Sequence, residues 1–200
     1  MKITFILPCV GKKRLKSYPK SWLMEPLAIA QLSALTPAPY ERVFYDDRLD
    51  IIPYDEKTDL VAISVETYTA RRAYQIAARF QRRNIPVVMG GFHATLIPDE
   101  VEQQADAVVV GEAEGVWGSL LKDLEAGVLR KRYQSGHSPG AAAPLPDRSI
   151  YNGRRYMNLA LVETGRGCRY SCDFCSIAGF FKGRYSARPI DDVVREIKEL

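Results

Sequence analysis

The sequence predicts an α/β fold: a parallel sheet with helices on both faces, then a linker and the opening of a second unit. Three observations carry this. Short, almost wholly apolar runs recur through residues 1–134, as expected of strands buried on both faces. Between them lie stretches with apolar residues at i, i+3, i+4 and i+7, the helical period. Near residue 135 the texture changes to Gly, Ala and Pro without period, and a different strand–loop–helix pattern follows.

Each element can be justified in turn. "KITFIL" (Lys2–Leu7) is an apolar first strand. After a long loop, "PLAIAQLSAL" (26–35) is a helix with Pro26 in its first turn. "ERVFYD" (Glu41–Asp46) and "LVAISV" (60–65) are the second and third strands. In "ETYTARRAYQIAARFQRRN", Ala73, Ile76, Ala77 and Phe80 form one helical stripe, with Thr69 as N-cap. "PVVMGG" (86–91) and "DAVVVGE" (106–112) are the fourth and fifth strands, with a short helix near 98–104 between them. A helix over 113–126 presents Trp117, Leu120, Leu121 and Leu124, and Gly127 ends it. "SGHSPGAAAPLPDRS" (135–149) reads as linker. "YMNLALVETGRG" (156–167) predicts a new strand, and "RPIDDVVREIKEL" a helix with Val193, Val194, Ile197 and Leu200 as its apolar stripe.

Strands alternating with helices give a right-handed, doubly covered parallel sheet. The common five-strand solution is the flavodoxin-like (Rossmann-like) order 2-1-3-4-5, which binds ligands beyond the carboxyl ends of its strands. The loops after Leu7, Val65, Val88 and Val110 are therefore the ones to watch. The chain divides into a domain at 1–134, a linker at 135–155 and the start of another unit at 156–200. One strand, one loop and one helix bury no core, so the last segment reads as part of something longer.

Composition excludes several classes. The 200 residues are 46% hydrophobic and 26% charged, with a formal net charge of +4. Basic runs such as Lys12-Lys13-Arg14 and Arg130-Lys131-Arg132 read as solvated faces, so no specific nucleic-acid partner is expected. No apolar run approaches the ~18 residues of a membrane span. Pro8 and the following "GKKRLK" spoil a signal-peptide reading, so the expected compartment is the reducing cytoplasm. There, clustered cysteines mean metal or redox chemistry more often than disulfides.

"CRYSCDFC" (168–175) places three of the four cysteines, Cys168, Cys172 and Cys175, within one loop. Structural zinc takes four ligands, commonly as two spaced pairs. No fourth Cys or His is near: His137 lies across the linker and Cys9 in the first domain. A cubic iron–sulfur cluster normally takes four thiolates, so three would leave one iron open. The alternatives are a zinc site completed from elsewhere and a fortuitous cluster of packed thiols.

The Cys-x3-Cys-x2-Cys spacing after a strand, with Phe174 before the last cysteine and with "ETGRG" and "RYSARP" on either side, resembles the radical S-adenosylmethionine (SAM) superfamily. That resemblance covers about residues 144–200 and only the first strand–loop–helix of that superfamily's barrel. It implies that Cys168, Cys172 and Cys175 hold a 4Fe-4S cluster whose fourth iron chelates SAM, with Phe174 beside the adenine. It also implies reductive cleavage of SAM to a 5′-deoxyadenosyl radical, with an electron donor such as flavodoxin or ferredoxin.

The first domain resembles the cobalamin-binding class of that superfamily. "VMGGFHAT" (88–95), "VVVGEAE" (108–114) and "PLPDRS" (144–149) carry the likeness. Gly90, Gly91 and Gly111 lack side chains where a large planar ligand approaches backbone, or else merely make tight turns. Ser64, Glu66 and Thr67 end the third strand with polar groups suited to a nucleotide tail, and Glu112 follows the fifth. His93 is placed where it could face the ligand, though a lone loop His is more often a simple polar contact. The class's Asp-x-His-x-x-Gly after the first strand is absent from "PCVGKKRLKSYP", so cobalamin is expected to bind without a protein histidine at cobalt. Cys9, at the end of the first strand, reads as a half-buried small hydrophobe.

The expected function is that of the N-terminal part of a cobalamin-dependent radical SAM enzyme, most often in this class a methyltransferase, acting on a small-molecule or peptide substrate. Two alternatives stand beside it. In one, the first domain is vestigial and binds no cobalamin. In the other, the chain is a non-enzymatic binding module with a structural metal tail. Residues 1–200 by themselves are expected to be catalytically inactive, because the cluster loop comes without the barrel that would shield it.

Overall fold

The computed structural model describes residues 1–10, 23–135 and 143–200. Six parallel strands form the main sheet: β1 (Lys2–Leu7), β2 (Glu41–Asp46), β3 (Leu60–Ser64), β4 (Val87–Gly90), β5 (Ala107–Val110) and β6 (Arg132–Gln134). Their spatial order is β2-β1-β3-β4-β5-β6. The expected order is thus present, extended at one edge by a strand that the sequence hides. β6 is three residues long and only Tyr133 on it is buried, so no apolar run announces it.

The helices are α1 (Leu27–Ala34), α2 (Ala70–Gln81), α3 (Phe92–Leu96), α4 (Pro98–Glu102) and α5 (Trp117–Glu125). Alternating strand residues feed two cores. Ile6, Val61, Ile63, Val87, Met89 and Val108 pack with the Ala73, Ile76, Ala77 and Phe80 stripe of α2. Ile3, Phe5, Leu60, Val88 and Val109 pack on the other face with α1 and with Trp117, Leu120 and Leu121 of α5. Ile76 and Phe80 are fully buried, and each such burial contributes about 1.5–3 kcal/mol. Thr69 precedes α2 as expected, but its hydroxyl turns back to the main chain of Glu66, accepting from the N–H (3.1 Å) and donating to the carbonyl (3.0 Å).

The described part of the expected linker is strapped onto the domain. Asp147 accepts from Ser33 and Arg42, both at 2.7 Å, and the Tyr151 hydroxyl donates to the Pro26 carbonyl (2.6 Å). Tyr151 is buried against Phe44. Tyr156 donates to the buried Asp46 carboxylate (2.7 Å), which also takes Arg48.

The second unit departs from expectation. Of the strand predicted over 156–167, only β7 (Gly165–Gly167) is a strand, and it pairs antiparallel with β8 (Tyr185–Ala187). Within residues 156–200 the described strands form a two-stranded antiparallel hairpin, and parallel pairing of the kind a βα barrel uses is not present among them. Met157 and Leu159, the apolar residues that suggested a strand, are exposed. Between β7 and β8 lie the cysteine loop and α6 (Ser176–Phe181), and α7 (Ile190–Glu199) follows. The apolar stripe of α7 does not form a core: Val194, Ile197 and Leu200 are exposed, while Glu196 is its buried residue.

Candidate functional site

A cavity of about 310 Å³ opens at the carboxyl ends of β3, β4 and β5. This is the edge where open α/β sheets take ligands. Its floor is Ala62, Val88 and Val109, its sides are α1 and Trp117, and the strand ends contribute Ser64, Gly90 and Gly111. The hairpin segment closes the far side with Arg166, Arg188, Phe180 and Phe181. Phe180 stacks on Phe92, with ring centroids 4.6 Å apart.

Six residues singled out from the sequence line this cavity: Ser64, Glu66, Gly90, Gly91, Gly111 and Glu112. The glycines divide by cause. Gly91 has φ +101°, and a Cβ there would come within 2.9 Å of the Val65 carbonyl oxygen. Gly111 has φ +85° and abuts Ser135. Both are demanded by the backbone itself. Gly90 is different: its φ is ordinary, and a Cβ would make only an ordinary 3.5 Å contact with Val109. The backbone does not require glycine there, so the missing side chain leaves room in the cavity. That open cradle fits a bulky flat ligand lying on the strand end.

Two expected contacts fall elsewhere. Thr67 lies in an adjoining cleft with Tyr68, Leu96 and Ile177, which shares Glu66 and Phe92 with the cavity. His93 is buried off the cavity. Its Nε2 sits 3.0 Å from the Tyr74 hydroxyl and its Nδ1 3.3 Å from Thr67 Oγ1, and Tyr74 in turn donates to Glu100 (2.8 Å). His93, on α3, makes these polar contacts and does not line the cavity. His137 lies outside the described residues, as does most of the loop after β1.

The charges at the mouth were not foreseen. Arg166 donates from Nη1 to Glu112 (3.0 Å), from Nη2 to Glu114 (2.6 Å) and from Nε to Glu163 (2.6 Å). Burial works to lower its pKa, and the carboxylates of Glu114, Glu112 and Glu163 outweigh that and raise it, so the guanidinium stays charged. Arg188 donates to the Glu163 carbonyl (2.8 Å) and to Glu196 (2.6 Å), which also takes Arg148 (2.7 Å). Across the cavity, burial pushes the Glu66 carboxyl above its ordinary range. The sequence signal for the arginine contacts was only that "GRG" and "GEAE" both sit beside motif residues; their meeting spans 54 positions.

The cysteine loop hangs from this hairpin. The Cys168 N–H donates to the Arg184 carbonyl (3.0 Å), and the Cys175 N–H to the Cys172 carbonyl (3.0 Å). All three cysteines are free thiols; Cys172 is exposed and Phe174 almost fully so. In kind and number the donors suit an iron–sulfur cluster with one open iron. Among the described residues, however, no three Cys, His, Asp or Glu side chains converge on one point, so no chemical step is derived through a cluster.

Comparison with known proteins agrees with this layout. Residues 36–121 match the B12 binding domain family. The chain is 32% identical over 184 residues to the bacteriochlorophyllide d C-8(2)-methyltransferase of Chlorobaculum tepidum, covering 86% of this chain and 40% of that protein. It is 29% identical over 243 residues to the anaerobic magnesium-protoporphyrin IX monomethyl ester cyclase of Cereibacter sphaeroides, covering 100% of this chain and 38% of that one. The likeness is thus to the B12 binding domain over residues 36–121 and, over most of the chain, to these methyltransferase and cyclase relatives. The chain spans about 40% of the length of the curated relatives it matches. Its fold is that of the cobalamin-dependent S-adenosylmethionine radical enzyme OxsB, solved with aqua-cobalamin bound: TM-score 0.70, 14% identity, covering 99% of this chain and 31% of that one. No described helix is long and apolar enough to cross a membrane.

Proposed function

We propose that this chain is the cofactor-binding portion of a cobalamin-dependent radical SAM enzyme that transfers a methyl group to an unactivated carbon. The observation that carries the reading is the cavity at the carboxyl ends of β3–β5, cradled by Gly90 and faced by the hairpin that bears the three cysteines. Ser64, Glu66, Gly90, Gly91, Gly111 and Glu112 would hold cobalamin, while His93 is engaged with Tyr74 and Thr67. Cys168, Cys172 and Cys175 would hold a 4Fe-4S cluster, and Phe174 would meet the adenine of SAM. When bound, these groups supply one-electron cleavage of SAM and a methyl donor. The residues of the chain do the rest. The apolar walls exclude water, Gly90 admits a flat ring to the backbone, and the arginine cluster keeps the hairpin at the mouth.

The substrate proposed is a tetrapyrrole, a reading supported by the names of the two relatives above. The site of action would be the cytoplasm, and the electron donor a flavodoxin or ferredoxin. Anaerobic reconstitution of the full-length protein, followed by iron, sulfide and zinc analysis, tests the redox half of the reading. About four irons per chain with no zinc is the expected result. Stoichiometric zinc without iron would instead support a structural metal tail on a binding module.

A further inference from the structure

The two best-marked motifs of the chain meet at one side chain. Arg166 stands two residues before Cys168. Glu112 and Glu114 follow β5, at the end of the other unit. All three nitrogens of the Arg166 guanidinium are used, each on a different carboxylate: Glu112 at 3.0 Å, Glu114 at 2.6 Å and the local Glu163 at 2.6 Å. The side chains of Glu112, Glu114 and Arg166 are 6%, 11% and 15% exposed, so water screens these pairs little.

We propose that Arg166 is a positioning residue: by bonding Glu112 and Glu114 across the gap, it latches the cysteine-bearing hairpin over the cavity mouth. The inference rests on the proposed function only in naming the loop as cofactor-bearing; the latch itself is a statement about the chain without cofactors. The charge cluster adds directional bonds to apolar contacts such as Phe180 on Phe92 and Gly179 beside Leu96. A planar fork suits this role, because it fixes three acceptors in one plane as a lysine cannot. Losing the arginine leaves three carboxylates close together, two of them largely buried, whereas losing one glutamate leaves the arginine still doubly paired. Breaking a buried pair from the side that strands charge is the costlier change.

The test is amide hydrogen exchange on the full chain without added cofactor, comparing wild type, Arg166→Gln, Arg166→Lys and the double variant E112Q/E114Q. Exchange at residues 168–181 is expected to rise roughly tenfold in Arg166→Gln, with strands β1–β5 still protected. Arg166→Lys is expected to restore part of that protection. The decisive arm is E112Q/E114Q, whose substitutions lie outside the hairpin but are expected to loosen the same 168–181 amides. If Arg166 merely braces its own hairpin through Glu163, the double variant leaves exchange at 168–181 unchanged, and that result overturns the latch. Unchanged exchange in Arg166→Gln overturns it equally. Because no cobalamin or iron enters the experiment, its failure is distinct from failure of the proposed cofactor chemistry.

Discussion

Glu66 shows how one residue can serve a site at the expense of stability. It follows β3 and lines the cavity, and burial there raises its carboxyl pKa. The folded state therefore holds its proton more tightly than the unfolded chain does. Stability then falls as pH rises from the unfolded to the folded pKa, and the full penalty is present above the folded value. Glu66→Gln is expected to raise the thermal midpoint at pH 7 to 8 and to leave it nearly unchanged at pH 4. A midpoint difference that is the same at both pH values would show that the carboxylate charge is not the cause. His93 teaches the opposite lesson. A histidine two residues past a glycine pair could face a ligand or make a simple polar contact, and this one is buried among three polar neighbours. Sequence spacing alone carries no sign of which way a buried ring turns.

At the scale of elements, legibility followed burial. β1, β3, β4 and β5 are covered on both faces, so their sequences are almost purely apolar and announce themselves. α2 was legible because one stripe of it is buried and the rest is mostly polar. β6 was not, since an edge strand of three residues needs only Tyr133 inside. α7 misled for a physical reason: its stripe is exposed, and it is held through Glu196 to Arg148 and Arg188, a nonlocal arrangement that periodicity does not encode. α5 combines both kinds of holding. Trp117 is 2% exposed, packs 6.2 Å from Phe5 and donates from Nε1 to Thr36 (2.8 Å) while walling the cavity. Trp117→Ala is expected to cost about 3–5 kcal/mol in urea unfolding, and Trp117→Phe about 1 kcal/mol for the lost hydrogen bond. Equal costs for the two would mean that the indole N–H, rather than packing, fixes α5.

For the whole molecule, the sheet, the cavity and the hairpin form one arrangement. The sheet brings three strand ends together, α1 and α5 wall a space beyond them, and the hairpin closes that space from the cysteine side. The sheet and its ligand-binding edge were legible because doubly wound topology dictates where strand ends gather. The closure was not, because Arg166 and Glu112 lie 54 residues apart and their pairing depends on how two units dock. In the proposed function the Gly90 cradle binds cobalamin. Hydroxocobalamin titration, followed by visible absorption, tests it most directly. The wild-type chain is expected to give a saturable spectral shift at one cobalamin per chain. Gly90→Leu is expected to fold with the same circular dichroism and to bind at least about tenfold more weakly, since a leucine side chain would fill the cradle. No spectral shift in wild type at high cobalamin excess, or equal affinity in Gly90→Leu, would contradict the account.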